Sequence, residues 1–557
     1  MRIQVHPLTG LIGPLLLASM ACQAPQPAAG PAASAPGAAA GGEPAVRRVV
    51  MATAPTTTES NHSRFIGPFE SIQVRPMYEF LIGHDQATGK LVPQLATEWK
   101  LEPDGASFRF KLKQGVPFQK GHGDFTAQDV VFTYEDLTAP DSTHTFAGYW
   151  RTTVKGIDVV SPQELVFRLE PNGNFVPGVS EQEWGMEIRS KAHFQKAGAP
   201  TMQTEPTVGT GPYQFKERAQ GQYIRYERVP GSHWRVQADF PEYEFRPVRE
   251  ASTRLAGLLA GEIHVTQLPR DLQQQAERGG MRVVNGRLPG SRLFLVPWGP
   301  YIKDIEKNEG WQYPDSPLLD VRVRKALQHA VNLNELNKSF FGGKAEIMQS
   351  PVMHSSWAGF DPAWDRNFQS EYGFDPARAR ALLAEAGYTA ARPLETNLHL
   401  VELSQYPGTA DLVEAVGAAW TAVGVKVNLV QMDSAQRAAG TREARFSNDW
   451  IVDSSTTPEW DFVRSRLYSM AAARPPRGGK DHETDKLFRE VQGIIDPVRE
   501  QAGYRAISDV VYRKHLFLNL LWLPTEAVVN PKVVSDYVFS GISYGVWTHP
   551  WNIKAAR

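Results

Sequence analysis

The sequence predicts an α/β protein whose lobes contain mixed sheets covered by helices. Residues 108–112 alternate apolar and basic side chains, which is typical of a half-buried strand. Residues 375–387 begin with Asp-Pro, continue with an alanine- and leucine-rich helix pattern, and end with a glycine. A helical pattern over residues 412–423 stops at Gly424, and an alternating strand pattern follows at 425–429. Strand and helix signals that alternate in this way favour the α/β class.

The remaining elements that the sequence predicts follow the same two patterns. A buried strand is expected at Val49–Ala54, half-buried strands at 165–169 and Tyr223–Arg228, and an amphipathic helix at 323–331.

The chain has 557 residues, so two or three domains are expected. The formal net charge of −1 argues against a broad surface for nucleic acid or anionic membrane.

The N-terminus has the features of an export signal. A mostly apolar stretch, Leu8–Ala21, is too short to span a bilayer but suits a signal peptide. It ends at Cys22, the only cysteine of the chain, in a sequence that resembles a bacterial lipobox with Ser19 where leucine is usual. We expect lipidation of Cys22, against the alternative of an ordinary cleaved signal. A lone cysteine permits no intrachain disulfide and no cysteine-based metal cage.

Residues 23–45 consist of Ala, Pro, Gly and a few polar side chains, with almost no charge. This composition cannot form a core and is typical of a semi-extended tether.

Several ordered segments resemble one bacterial family. They are YEFLIGHDQATGKLVPQLATEW at 78–99, FRFKLKQGVPFQKGHGDFTAQDVVFTYE at 108–135, GTGPY at 209–213, VRVRKALQHAVN at 321–332 and YGFDPARARALLAEAGY at 372–388. Together they are similar to the extracellular solute-binding proteins of family 5, the oligopeptide-, dipeptide- and nickel-binding components of ABC importers. The segment 299–317 is longer and more charged than the family usually shows, and the stretch after Trp450 also differs.

The resemblance implies a two-lobed α/β fold of the periplasmic-binding-protein type with an extra subdomain, mixed sheets and a hinge of crossing strands. It also implies that one lobe is assembled from both ends of the chain. The expected divisions are a lipoprotein signal peptide at 1–22, a tether at 23–45, lobe I at 46–90, 203–295 and 523–557, a subdomain of lobe I at 91–202, and lobe II at 296–522.

The resemblance also implies which residues bind the ligand. Trp450-Ile451-Val452-Asp453 matches the family's Trp-x-x-Asp segment, in which the aspartate receives the α-ammonium group of a peptide. A buried ammonium needs a carboxylate partner. Backbone pairing beside Ile451 would bind a peptide independently of its side chains. The expected ligand-binding residues are Asp453, Trp450, Ile451, Trp298, Tyr213 and Tyr468, with Trp460 a weaker candidate and Asp461 an alternative to Asp453. Gly209 and Gly211 are expected to serve backbone turns.

Two motifs point elsewhere and are set aside. Residues 541–545 fit G-x-S-x-G, but the twelve residues that follow contain His549 and no acid, so a hydrolase triad is incomplete. His122 and Asp124 form a possible metal pair without further ligands nearby. We therefore expect neither an enzyme nor a cofactor nor a metal site.

The expected function is capture of a small solute, with a peptide favoured, and its delivery to ABC permease subunits by a monomeric, lipid-anchored envelope protein. A sensor or chaperone-like peptide holder of the same fold remains open, and an envelope hydrolase is a remote alternative. The sequence also leaves a sugar, an opine or a metal chelate open as cargo.

Overall fold

The computed structural model describes residues 46–556, except 57, 68–69, 171–174, 182–184, 358, 402, 404–407, 433, 457–461, 468–477 and 542–544. The strands are β1 Arg48–Thr53, β2 Ile82–His84, β3 Leu91–Pro93, β4 Ala96–Leu101, β5 Ser107–Leu112, β6 Val154–Ser161, β7 Glu164–Leu169, β8 Tyr213–Ala219, β9 Tyr223–Arg228, β10 Glu242–Pro247, β11 Val265–Thr266, β12 Arg282–Trp298, β13 Ile302–Asp304, β14 Glu309–Trp311, β15 Glu346–Ile347, β16 Glu395–Leu400, β17 Lys426–Gln431, β18 Asp449–Ser455, β19 Leu518–Val529, β20 Val534–Tyr537 and β21 Ile553–Ala555.

The helices alternate with these strands along most of the chain. They are α1 Ala127–Leu137, α2 Ala147–Thr153, α3 Phe175–Gly178, α4 Lys191–Ala197, α5 Ala251–Ala260, α6 Arg270–Arg278, α7 Val321–His329, α8 Leu333–Phe341, α9 Pro362–Tyr372, α10 Pro376–Glu385, α11 Thr409–Ala422, α12 Ser434–Arg442, α13 His482–Val491, α14 Pro497–Arg513 and α15 Gly545–Thr548. Val463–Leu467 forms a short π-helical turn. Among the helices of the described ranges, none combines the length and apolarity that a bilayer crossing requires.

Local sequence signals explain where several elements begin and end. Asp375 caps α10 by accepting a hydrogen bond from the backbone N–H of Arg378 at 2.9 Å, and Pro376 opens the helix. The helix predicted over 323–331 is α7, and the predicted helix–strand unit at 412–429 is α11 followed by β17. The strand predicted at Tyr223–Arg228 is β9.

One large mixed sheet runs through the molecule in the order β17-β16-β18-β12-β19-β11-β1-β10-β9-β8, with β15 paired to β19. β1 is parallel to β10 and β11, and β16 is parallel to β17 and β18. The central pair, β12 and β19, is antiparallel and extends from Arg282 opposite Val529 to Leu295 opposite Leu518. These two strands therefore connect the two halves of the sheet.

The two halves draw on different parts of the chain. One buried cluster combines residues of 49–78, 213–265 and 527–553, so both ends of the described chain share a core. A separate sheet, β4-β5-β7-β6, lies within residues 96–169. The predicted lobe boundaries at 295/296 and 522/523 fall inside β12 and β19, and they stay a prediction.

The ladder between β12 and β19 is irregular in its middle. Its register shifts between Asn285 and Pro289, between Pro289 and Ser291, and again after Leu293. Irregular pairing of this kind bends strands locally.

Candidate ligand-binding site

The segment predicted to carry the site lies on a central strand. β18 pairs antiparallel with β12, which places Asp453 opposite Phe294, Ile451 opposite Val296 and Asp449 opposite Trp298. Since side chains alternate along a strand, Asp449, Ile451 and Asp453 share one face. Both Asp453 and Ile451 are buried.

Asp453 forms ion pairs with two arginines from separate elements. Nη2 of Arg437, on α12, lies 3.2 Å from Oδ1, and Nε of Arg466, in the π-helical turn, lies 3.1 Å from Oδ2. The side chains of Asp453 and Arg466 are 8% and 9% exposed, whereas that of Arg437 is 19% exposed. Two guanidinium groups thus meet one carboxylate, and Arg437 is the more accessible of the two.

The arginines escaped the sequence-based reasoning because nothing in their spacing links them to Asp453. Arg437 precedes Asp453 on a polar helix, and Arg466 follows it across a segment with no recognisable pattern. Only the packing of α12 and the π-helical turn beside β18 brings them together.

The other acid of β18, Asp449, accepts hydrogen bonds from side chains and from the backbone. Oδ1 of Asp449 lies 2.7 Å from Nε2 of His399 and accepts a hydrogen bond from Asn397 at 3.0 Å. Its Oδ2 accepts backbone N–H groups of Ser447 and Asn448 at 3.0 and 3.1 Å. These donors hold the pKa of Asp449 below its usual range against the opposing effect of burial.

A third arginine on the same face lies among aromatic rings. Arg292 pairs with Ser455 on β18 and with Trp522 on β19. Its guanidinium carbon is 4.6 Å from the ring centroid of Phe462, 4.9 Å from that of Trp522 and 5.5 Å from that of Trp357. These distances allow cation–π attraction.

The predicted aromatic residues occupy packed positions. Trp450 is buried with its ring 5.6 Å from that of Trp420, and Trp298 is buried with its ring 5.2 Å from that of Phe446. Trp298 lies on the same pair of strands as Asp453, but it is opposite Asp449, four positions along the strand from Asp453. Their roles toward a ligand stay predictions.

Tyr213 lies apart from that group. It is on β8, at one edge of the large sheet, whereas β18 lies near the opposite edge. Tyr213 is buried, and its hydroxyl donates to the carbonyl of Phe240 at 3.0 Å. Tyr468, Trp460, Asp461 and Cys22 lie outside the described residues.

The glycines of the GTGPY segment have a packing role. A Cβ on Gly211 would lie 2.5 Å from the carbonyl carbon of Met77, and one on Gly209 would overlap the carbonyl oxygen of Met77. Neither glycine has a positive φ. Close approach of two backbone segments, and not left-handed turn geometry, therefore explains these glycines.

The same region contains a buried carboxylate that sequence reasoning missed. Glu79 is fully buried and accepts hydrogen bonds from Nε of Arg235 at 2.7 Å, Nε1 of Trp234 at 2.8 Å and Oγ1 of Thr210 at 3.0 Å. Burial raises the pKa of Glu79 to about 7, although Arg235 opposes the change. A neighbouring acid, Glu181, contacts His549 at 3.2 Å and accepts from Gln94 at 2.6 Å.

The unusual segment 299–317 forms the hairpin β13–β14 and supports the entry to β18. The hydroxyl of Tyr313 donates to the carbonyl of Ala444 at 2.7 Å, and that of Ser316 donates to the carbonyl of Ser447 at 2.6 Å. The inserted residues thus fix the backbone that leads into Asp449.

Neither discarded motif gains support from the described residues. Of G-x-S-x-G, residues 542–544 lie outside the described ranges, and His549 contacts Glu181. His122 packs with its ring 4.5 Å from that of His193. Within the described part of the chain, no three His, Cys, Asp or Glu side chains are grouped as metal ligands.

Comparison with known proteins gives one matching family. Residues 90–469 match the bacterial extracellular solute-binding proteins, family 5 Middle. The probable ABC transporter periplasmic-binding protein SapA of Escherichia coli K12 is 29% identical over 298 residues, which cover 50% of this chain and 52% of SapA. The match thus spans about half the length of that relative. The dipeptide-binding protein of the same organism is 25% identical over 446 residues, covering 76% of this chain and 78% of that protein.

A solved structure shows the same fold. HbpA2 from Haemophilus parasuis superposes with a TM-score of 0.72 at 21% identity, covering 92% of this chain and 100% of HbpA2. This likeness confirms the predicted two-lobed α/β fold with mixed sheets.

Proposed function

The chain belongs to family 5 of the bacterial extracellular solute-binding proteins, and on this basis we propose that it captures a peptide and delivers it to the permease of an ABC importer. The observation that carries the proposal is the family match over residues 90–469, which includes the strand β18 and its Asp453. A relative named for dipeptide binding is similar over 76% of the chain, which favours a peptide as cargo. The proposed role involves no covalent chemistry.

The proposed binding movement uses the two central strands. β12 and β19 join the halves of the large sheet, and their ladder is irregular between Asn285 and Leu293. We place the hinge there, with lobe I at 46–90, 203–295 and 523–557 and lobe II at 296–522. Closure of the lobes would exclude water and strengthen polar contacts to the ligand.

The proposed ligand residues on β18 are Asp453 as the charged centre, Ile451 as the neighbouring backbone, and Trp450, with Trp298 on the paired strand β12. Tyr468 and Tyr213 are proposed as further aromatic contacts, Tyr213 from the opposite edge of the sheet. We propose that Cys22 carries a lipid anchor and that residues 23–45 lift the binding unit away from the membrane as a monomer in the cell envelope.

Native mass spectrometry of the protein purified without denaturation tests the cargo. We expect a co-purified mass that fragments as a peptide. A carbohydrate or a metal complex in its place would contradict the peptide assignment.

Asp453→Ala tests the site. The substitution should weaken peptide binding at least about tenfold, or about 1.4 kcal/mol, in isothermal titration. An unchanged dissociation constant would remove Asp453 from the binding site.

A further inference from the structure

The connection between α12 and β18 contains a residue in an unusual backbone conformation. Ala444 has a φ of 48°, in the left-handed region that favours glycine. Its N–H donates to the carbonyl of Thr441 at 3.2 Å, and the N–H of Arg445 donates to the carbonyl of Gly440 at 3.1 Å. This pair of bonds is a helix ending at which glycine is the usual left-handed residue. An alanine in its place adopts this conformation only when other contacts support it.

The inserted segment 299–317 supplies such contacts. The carbonyl oxygen of Ala444 accepts hydrogen bonds from the hydroxyl of Tyr313 at 2.7 Å and from Nε2 of Gln312 at 3.3 Å. Three residues further on, the carbonyl of Ser447 accepts from the hydroxyl of Ser316 at 2.6 Å. The segment therefore holds the backbone on both sides of the turn at Ala444.

The same segment is fixed to a second element on its other side. Nδ2 of Asn308 donates to the carbonyl of His482 at 2.8 Å, and Oδ1 of Asn308 lies 2.9 Å from Nδ1 of that histidine. The ring of Trp311 lies 4.4 Å from the ring of His482, the first residue of α13. The contacts to Ala444 thus come from a segment that is itself anchored.

The turn at Ala444 decides how α12 lies against β18. Arg437 on α12 contacts Asp453 on β18 at 3.2 Å, and the chain between that helix and that strand turns at Ala444. If Ala444 left the left-handed region, the end of α12 would point in another direction. The helix would then no longer pack in the same way beside the proposed ligand residues.

We propose that Tyr313 is a positioning residue for the ligand site, because its hydroxyl holds Ala444 in the left-handed conformation and so fixes α12 against β18. The inference rests on the proposed function, peptide capture, and adds to it a residue outside β18 on which affinity depends. Since 299–317 is longer than the family usually shows, this coupling belongs to this chain and does not follow from the family resemblance.

Isothermal titration with di-, tri- and tetraalanine tests the proposal. Tyr313→Phe removes the hydroxyl and keeps the ring, and we expect it to weaken peptide binding at least about fivefold. Ala444→Gly in the same protein should return the affinity to within about twofold of the unmodified protein, because glycine adopts the left-handed conformation without support.

Tyr134→Phe is the matched control. The hydroxyl of Tyr134 also donates to a backbone carbonyl, that of Val154 at 3.3 Å, in the separate sheet region of residues 96–169. We expect this variant to bind the peptides as the unmodified protein does, with or without Ala444→Gly. A loss of affinity from Tyr134→Phe equal to that from Tyr313→Phe would contradict a specific role for Tyr313.

Hydrogen exchange followed by mass spectrometry separates positioning from a general loss of stability. Tyr313→Phe should speed exchange in residues 440–448, and Ala444→Gly should reverse this change. Strands β8 and β9, at the far edge of the large sheet, should exchange as in the unmodified protein. Faster exchange throughout the chain, or a loss of affinity that Ala444→Gly does not restore, would overturn the positioning role.

The two measurements also distinguish this inference from peptide capture. Unchanged affinity and unchanged exchange in Tyr313→Phe would overturn the inference and leave peptide capture intact. Failure of all three peptides to bind the unmodified protein would contradict peptide capture, and with it the ligand role of Tyr313. The exchange rates would then still show whether Tyr313 supports Ala444.

Discussion

Glu79 and Asp453 are both buried carboxylates, and they differ in the number of guanidinium groups that the described residues bring to them. Glu79 accepts from one guanidinium and two neutral donors, those of Trp234 and Thr210. Asp453 meets two guanidiniums, one of which is partly exposed. The first cluster is internally balanced in charge, with a single cation for a single anion.

The difference concerns how much stability each carboxylate loses when one arginine is removed. The partners of Glu79 satisfy it in a region where GTGPY approaches the backbone of Met77. The side chains of Arg235 and Arg437 are similarly exposed, at 25% and 19%, so the clusters differ in the number of guanidinium groups and not in exposure. We therefore expect removal of Arg235 to cost more stability than removal of Arg437.

The largest expected effect is on stability, from Arg235→Met. This change leaves the fully buried Glu79 without its charged partner, and breaking such a pair is expected to cost about 3 kcal/mol. Urea unfolding followed by circular dichroism at pH 8 measures the loss.

The double variant Glu79→Gln/Arg235→Met is the control for that prediction. It removes both charges, so it should regain most of the lost stability. If Arg235→Met were as stable as the parent, the ion pair between Glu79 and Arg235 would not stabilise the fold.

The next effect is a pH dependence that Glu79 confers on stability. Its pKa rises from 4.5 to about 7 on folding, so the folded protein binds this proton more tightly than the unfolded chain does. The free energy of unfolding contributed by Glu79 should therefore fall as pH rises from about 5 to about 7 and level off above, by about 2.5 kcal/mol in total. Burial lowers the pKa of the adjacent His233 from 6.5 to about 4, so its own contribution to stability rises with pH over part of the same range, and comparison with Glu79→Gln is needed to cancel it.

Unfolding of the parent and of Glu79→Gln at pH 5, 6, 7 and 8 isolates this contribution. Across this series, the free energy of unfolding of the parent should fall steadily relative to that of Glu79→Gln. A difference that stays constant with pH would mean that Glu79 keeps its charge throughout.

The two clusters also show how much of the structure can be predicted from the sequence alone. Helix caps such as Asp375 and alternating strands such as β9 are local signals, and the structure confirms the elements they predict. The long pairing of β12 with β19 is not local, because its residues lie more than 200 positions apart. Sequence patterns report which residues are apolar, but they carry no information on which distant strands pair.

The site was predictable only in part for the same reason. The Trp-x-x-Asp segment predicted Asp453 as the residue that receives an ammonium group, and the structure shows it as a buried acid on β18. Its partners Arg437 and Arg466 come from elements that only tertiary packing brings to β18. Since the charge of a site depends on such partners, the ligand group recognised there does not follow from the acid alone.

A smaller loss of stability is expected from Gly211→Ala, which tests whether the backbone beneath Glu79 is tightly packed. The added Cβ would lie 2.5 Å from the carbonyl carbon of Met77 and 2.7 Å from the carbonyl oxygen of Pro76, both backbone atoms. Overpacking of this kind costs about 2 kcal/mol. Gly148→Ala is the control, because Gly148 lies inside α2 with no atom within 4 Å of an added Cβ. We expect the melting temperature to fall for the first variant and to stay unchanged or rise for the second.

The smallest effect on stability is expected from Arg437→Gln. Asp453 keeps Arg466 as a charged partner, so the substitution leaves no buried carboxylate unpaired, and the expected cost is about 1 kcal/mol. Urea unfolding of Arg437→Gln should therefore resemble that of the parent, in contrast to Arg235→Met, although both variants remove one arginine from a buried carboxylate. A loss as large as that of Arg235→Met would mean that Arg437 is needed for the stability of the fold. Asp453 and Glu79 would then have different partners but the same structural role.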